Sequence, residues 1–174
     1  MKNAEHRQGP LTSHRRGGII GSMSDEVRFL ADEMLGRLAK WLRILGYDTA
    51  YLSPAEDNAL VRLARAEGRI LLTRDTELAR RRGLRVLLIE SERVEEQVRQ
   101  VLNDLGLTTE GSFSRCPLCN IPLEELDGEA VADRVPSYVL RTQERFSRCP
   151  GCGRIYWRGT HWARMRERIE ALQR

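Results

Sequence analysis

No stretch of this chain stays apolar for about 18 residues, so no transmembrane helix is expected and a membrane is not among the expected partners. The N-terminus also lacks the continuous apolar segment of a secretory signal, which makes a cytoplasmic location the expectation. Cysteine occurs only four times in 174 residues. In a cytosolic chain that small number points to metal or redox chemistry before structural disulfides. Internal repeats and low-complexity segments are both missing, which excludes solenoid and fibrous architectures. Neither sign of charge dominates: 29 Lys and Arg stand against 25 Asp and Glu, a net +4.

That net charge is unevenly spread. Residues 1–24 carry four basic and one acidic residue, residues 25–110 carry 14 and 16, and residues 111–174 carry 11 and 8. A nucleic-acid partner is allowed by this distribution but not demonstrated by it. Residues 1–24 have no apolar period and are expected to form a disordered tail, with Met23 a candidate start just before structure begins.

From there the pattern alternates. Val27–Asp32 reads as a strand. Met34–Leu45 reads as a helix with Leu35, Leu38, Ala39, Leu42 and Leu45 on its buried stripe and Gly46 at its end. Tyr47–Leu52 reads as a second strand, followed by a helix start in which Ser53 caps, Pro54 opens and Glu56 closes a capping box. Leu60, Val61 and Ala64 mark the buried face of that helix, and Gly68 its stop. Arg69–Asp75 is a short apolar run ending abruptly in polar residues, the signature of a strand buried on both faces. A short helix over Thr76–Arg82, a strand over Arg85–Glu90 and a helix capped by Ser91 and running to Leu105 complete the series. Strands alternating with helices predict an α/β fold with a parallel, doubly covered sheet over residues 25–107.

Acids recur where such strands end. Asp32 ends the first strand, Asp75 the third and Glu90 the fourth, and Asp57 opens the helix after the second. In a parallel sheet these positions share the carboxyl edge, where ligands bind. Gathered carboxylates repel unless a cation lies between them, and Mg²⁺ or Mn²⁺ suits an all-oxygen site able to activate water against a phosphodiester. Thr73 points to the same face as Asp75, and its hydroxyl is placed to orient a carboxylate or a water. Each acid also has a plainer role open to it: Asp75 and Asp32 as helix caps, Asp57 as a first-turn acid favoured by the helix dipole, Glu90 as a solvated strand-end acid.

The last section, residues 113–174 after a polar linker, is different in kind. Cys116-Pro-Leu-Cys119 and Cys149-Pro-Gly-Cys152 bracket 29 residues. Paired C-x₂-C motifs at this separation fit a Cys₄ zinc site with no open position, hence a structural one. A segment of about 60 residues with few aliphatics would struggle to fold without such a metal. A basic helix is expected from about residue 162. Arg37, Lys40 and Arg43 on the first helix, with Arg74, are candidates for phosphate contact. Tyr156, Trp157, His161 and Trp162 are candidates for base stacking, with packing of the ribbon and of the joint between domains as the alternative.

Taken together, Asp32, the Leu35–Arg43 helix, Gly46-Tyr47-Asp48 and Thr73-Arg74-Asp75 resemble the PIN-like ribonuclease superfamily. The added Cys116–Asn120 and Cys149–Trp162 segments resemble one branch of it, the family named for the carboxy-terminal RNase domain of the Mut-seven protein. The resemblance covers about residues 27–166. It implies a three-layer PIN-like domain fused to a zinc ribbon and metal-dependent cleavage of RNA. By position it implies Asp32, Asp57 and Asp75 as the Mg²⁺ or Mn²⁺ site, with Glu90 nearest to a fourth acid. The rival expectation is a non-catalytic RNA- or ribosome-associated ribbon protein. A toxin nuclease with an antitoxin partner is a variant of the main one. A receiver-type signalling domain also carries acids at strand ends, but it needs a fifth strand–helix unit where this chain turns to its cysteines.

Overall fold

The structure, a computed structural model, describes residues 27–172. The tail over residues 1–24 and the Met23 start lie outside them. Four short strands, β1 (Arg28–Ala31), β2 (Asp48–Tyr51), β3 (Ile70–Thr73) and β4 (Val86–Leu88), form one sheet in the order β2-β1-β3-β4. All three pairings are parallel. The crossovers are α1 (Gly36–Ile44), preceded by a 3₁₀ turn over Glu33–Leu35, then α2 (Asp57–Glu67) and α3 (Thr76–Ala79), and α4 (Val94–Asp104) follows β4.

Alternation along the strands explains the two faces. Phe29, Ala31, Ile70 and Leu72 join Leu38, Leu42, Val98 and Val101 from α1 and α4 in one buried cluster. Leu30 and Leu71 point the other way, into Leu60, Val61, Ala64 and Leu78 from α2 and α3. β3 is buried throughout, as its unbroken apolar run implies.

Local signals at two helix starts give way to packing. α2 does not begin at the Ser53–Glu56 capping box. Its cap position is Glu56, with no side-chain cap, and its first residue is Asp57. Ala55, inside that box, packs against the second cluster. α4 likewise begins at Val94 after Arg93, while the Ser91 hydroxyl accepts from the Arg93 N–H at 3.0 Å. Tertiary context commonly overrides such local preferences.

The C-terminal part holds a three-stranded antiparallel sheet of β5 (Glu124–Leu126), β6 (Phe146–Arg148) and β7 (Ile155–Trp157), in that order. The short helix α5 (Ser137–Thr142) and a 3₁₀ turn over Glu129–Val131 cover one face of it through Val131, Val135, Val139 and Phe146. The final helix α6 (Thr160–Leu172), grouped by sequence with the ribbon, returns to the α/β layer, where Ile169 and Leu172 complete the first cluster. Its Arg168 pairs with Glu95 on α4 and lies 4.9 Å from the Trp41 ring centroid.

The polar linker is pinned at both ends. The Tyr47 hydroxyl donates to the Thr108 carbonyl at 2.6 Å, and the Phe113 N–H to the Ile44 carbonyl at 2.6 Å. Gly46 sits beneath it with φ +94°, and a Cβ there would lie 2.3 Å from the Gly111 carbonyl oxygen. Only glycine satisfies both the left-handed backbone and that approach.

One ion pair is set into the amino end of the sheet. Arg69, 9% exposed, donates to both oxygens of Asp48 at 2.8 and 3.2 Å, to Glu67 at 2.6 Å and to the Phe29 carbonyl at 3.0 Å. Burial pushes the Asp48 carboxyl up, but hydrogen bonds from Arg69 and Asn120 prevail and hold it below the usual carboxylate range. Its stabilisation is therefore complete above an unfolded pKa near 3.9 and disappears as pH falls through the lower native value. Asp48→Asn is expected to destabilise the protein by about 2–3 kcal/mol at pH 7, less than for a fully buried pair. The difference should begin to shrink below pH 4, as the unfolded carboxyl protonates, and go on shrinking as pH falls toward the lower native value. Urea unfolding at pH 7 and pH 3 checks this, and an equal loss at both would refute it.

Candidate functional site

Two of the four strand-edge acids are joined by one hydrogen-bond chain. Asp32 leaves β1 with its N–H on the Leu72 carbonyl of β3 and is 5% exposed. Its Oδ1 accepts from the Met34 N–H at 3.0 Å, capping the first turn. Its Oδ2 accepts from the Thr73 hydroxyl at 2.5 Å and from the Arg74 N–H at 3.3 Å. The same Thr73 oxygen accepts from the Asp75 N–H at 3.0 Å. Thr73 is fully buried, so its hydroxyl is committed to holding Asp32 and the backbone of Asp75 in one arrangement.

Asp75 is exposed and caps α3: its Oδ1 accepts from Glu77 and Leu78 N–H groups at 2.7 and 3.0 Å. Capping and ligation are compatible, because a carboxylate offers about four lone-pair positions and here only one oxygen is engaged. Asp57 stands exposed at the first position of α2, and Glu90 is exposed just past β4. Neither joins the chain through Thr73. Among the described residues, the group of three or more His, Cys, Asp or Glu side chains close enough to share an ion is the cysteine quartet; the acids do not converge to that distance.

The basic residues divide. Arg37 and Lys40 are exposed on α1, off its buried stripe. Arg74, beside the acids, pairs with Glu92 at 3.0 Å. Arg43, expected at a phosphate, is engaged within the protein. Its guanidinium donates to the Thr49 carbonyl at 2.8 Å and to the Pro117 and Leu118 carbonyls at 3.2 and 3.0 Å. Those acceptors hold it between β2 and the first cysteine pair, and burial lowers its pKa.

The four cysteines meet. All their sulfurs lie within 4.8 Å of one another, those of Cys116 and Cys152 at 3.9 Å. Cys116 accepts from the Cys119 N–H at 3.4 Å and lies 3.2 Å from the Tyr156 hydroxyl. Burial pushes the Cys116 thiol up, but Tyr156 and the Cys119 and Leu118 N–H groups bring it down to about 6. Cys119 is pushed up to about 12, first by its hydrogen bond with Cys152. Burial, ahead of its neighbouring thiols, raises Cys149.

Asn120, which sequence reasoning passed over as a ligand or contact, completes this knuckle. It adopts φ +61°, its Oδ1 accepts from the Thr49 N–H at 2.9 Å, and its amide donates to Asp48 at 2.7 Å. The available signal was an Asn directly after a knuckle cysteine, since Asn is among the few residues that tolerate the left-handed region.

Of the aromatic candidates, Trp162 packs. Its ring lies 5.1 Å from Phe113, with Arg158 and Arg166 at 5.3 and 5.5 Å from its centroid. Trp157 packs partly against the ribbon core, and His161 is exposed in the first turn of α6.

With this geometry, comparison with known proteins is direct. A family model described as Mut7-C RNAse domain matches residues 27–169. The human protein named exonuclease mut-7 homolog is 36% identical over 101 residues, which is 53% of this chain and 12% of that protein. No solved structure matches the chain.

Thr73→Val is expected to lower stability by about 1–3 kcal/mol, because Asp32 and the Asp75 N–H lose a buried partner. Thr73→Ser keeps the hydroxyl and should lose only about 1 kcal/mol for the missing methyl. Urea midpoints decide; a valine variant as stable as the native protein would remove the role given to this hydroxyl.

Proposed function

The chain belongs to the Mut7-C RNAse domain family, and on that premise we propose that it is a PIN-like, metal-dependent ribonuclease working at the carboxyl edge of its parallel sheet. The observation that carries the reading is the chain Asp32–Thr73–Asp75, in which one buried hydroxyl ties the Asp32 carboxylate to the backbone from which the Asp75 carboxylate projects, at the ends of adjacent strands. The four-stranded parallel sheet covered on both faces supports the PIN-like assignment.

The donor set suits Mg²⁺ or Mn²⁺, which take oxygen ligands, keep several waters and need only one or two protein carboxylates. Asp32 and Asp75 would hold it, with Asp57 reaching it through water and Glu90 the weakest contributor. Such an ion supplies an activated water and charge stabilisation at the phosphodiester, giving a 3′-hydroxyl and a 5′-phosphate. The protein's part is to keep the carboxylates oriented. Thr73 and the Arg74 N–H do this for Asp32, and the first turn of α3 does it for Asp75. Arg37, Lys40 and Arg74 are the cations available for RNA phosphates; Glu92 must release Arg74 for that purpose.

The cysteine quartet suits one structural zinc. Zn–S bonds of about 2.3 Å in a tetrahedron place sulfurs about 3.8 Å apart, and the Cys116–Cys152 separation of 3.9 Å meets this. Cys116, Cys119, Cys149 and Cys152 would fill the coordination sphere, so the ribbon supports folding and RNA contact rather than hydrolysis.

Cleavage of mixed single-stranded and structured RNA in Mn²⁺ tests the nuclease. Asp75→Asn keeps the helix cap, since Asn caps as well as Asp, but removes the charge, and is expected to lose activity by roughly 10–100-fold or more. Equal activity in both proteins, or none in the native one, would overturn the reading. Elemental analysis of protein purified without added metal is expected to find one zinc per chain. Cys149→Ser should lose it along with thermal stability, and a zinc-free but folded native protein would overturn the ribbon.

A further inference from the structure

The ribbon sheet has a second face, and it opens on a cleft. Residues alternate across the ladder, so Phe146 and its neighbours Leu126, Ile155 and Trp157 serve the small core under α5. The row Glu125–Ser147–Tyr156 is in register across β5, β6 and β7 and faces the other way. It lines a cleft of about 620 Å³ together with Phe113 of the linker, Trp162 of α6, Arg145 and Arg158. That volume lies in the range of built ligand sites.

Its chemistry is ordered. Among the described residues, no hydrogen bond or ion pair occupies the side chains of Glu125, Ser147 or Arg145. Tyr156 is fixed by its hydroxyl on Cys116 at 3.2 Å, and Arg158 is held 5.3 Å from the Trp162 centroid. A carboxylate in the cleft repels phosphate and accepts from an amino group. The two flanking arginines attract phosphate, and the aromatic walls accept a flat ring. An apolar peptide would leave Glu125 and Arg145 without partners, and a duplex would not fit into a cleft of this size.

Resting on the ribonuclease reading, we propose that this cleft binds an unpaired RNA nucleotide. The base enters with its exocyclic amino group on Glu125, its ring lies against the aromatic wall, and its phosphates lie on Arg145 and Arg158. The cleft thus prefers cytosine, adenine or guanine to uracil, and single strands to duplex. It lies on the ribbon and linker, apart from the residues of the acid edge.

Fluorescence anisotropy with labelled 12-nucleotide oligo(C), oligo(U) and a mixed duplex, in Ca²⁺ without Mn²⁺, tests it. Native protein is expected to bind oligo(C) about fivefold or more tighter than oligo(U), and duplex more weakly than either. Glu125→Ala should abolish the preference. Arg145→Ala should weaken both single strands alike and reduce the salt slope by about 1. Zinc content and far-UV circular dichroism of both variants report that the fold is intact. Equal binding of the two oligonucleotides by native protein, a preference surviving Glu125→Ala, tighter binding of duplex, or no RNA binding would each overturn the cleft. The readout is binding, so protein that shows the preference but cuts nothing overturns only the nuclease reading. Protein that cuts without the preference overturns only the cleft.

Discussion

The outer edge of β2 is the constraint on which the two parts of this molecule depend. A strand at the end of a sheet presents unpaired N–H and C=O groups, a template for unwanted pairing unless something covers it. Here the cover is the first cysteine knuckle. Asn120 accepts from the Thr49 N–H, and Arg43 donates to the Thr49 carbonyl while holding the Pro117 and Leu118 carbonyls. One residue of the edge strand is thus paired by side chains as another strand would pair it. Because Asn120 also donates to Asp48, the knuckle is tied into the Arg69 ion pair at the amino end of the sheet. Whatever orders the cysteines orders the edge of the α/β sheet as well.

The same coupling runs through α6. Its first turn borders the ribbon cleft, and its last turn fills the core of the α/β layer. The ribbon is therefore bolted to the α/β part at β2, at the linker and along α6, three contacts of different chemistry. A ribbon fixed in this way presents its open face at a set position relative to the carboxyl edge, as the proposed hold on an RNA strand requires.

Much of this was readable beforehand. The four strands, their order along the chain and the buried stripes of α1 and α2 follow from apolar periodicity, because burial on one or both faces leaves a spacing that turns cannot imitate. The cysteine quartet follows from two short spacings that put paired sulfurs on tight turns. Helix starts were less legible: the Ser53 box satisfies every local rule, yet α2 begins at Asp57, and Ala55 within the box packs against the second cluster. The acid edge was legible as a place and not as a geometry. Asp32 and Asp75 are linked through Thr73, whereas Asp57 and Glu90 stand outside that chain, because separations between loop ends depend on how helices seat on the sheet.

Arg43 and Asn120 mark the boundary most clearly. As letters, one is an off-stripe cation and the other a polar residue after a cysteine, and each suits solvent or a ligand equally well. Their partners lie 75 and 71 residues away in the chain for Leu118 and Thr49. What the sequence determined by itself is what neighbouring residues can decide: strand and helix faces, a left-handed turn at Gly46, sulfurs in pairs, acids at strand ends. Which polar side chains would seal an edge, which would tie one strand-end acid to the backbone of another and which would be left open in a cleft was decided only when distant segments met. A hydrogen bond needs its partner within about 3 Å, and only the folded chain brings it there.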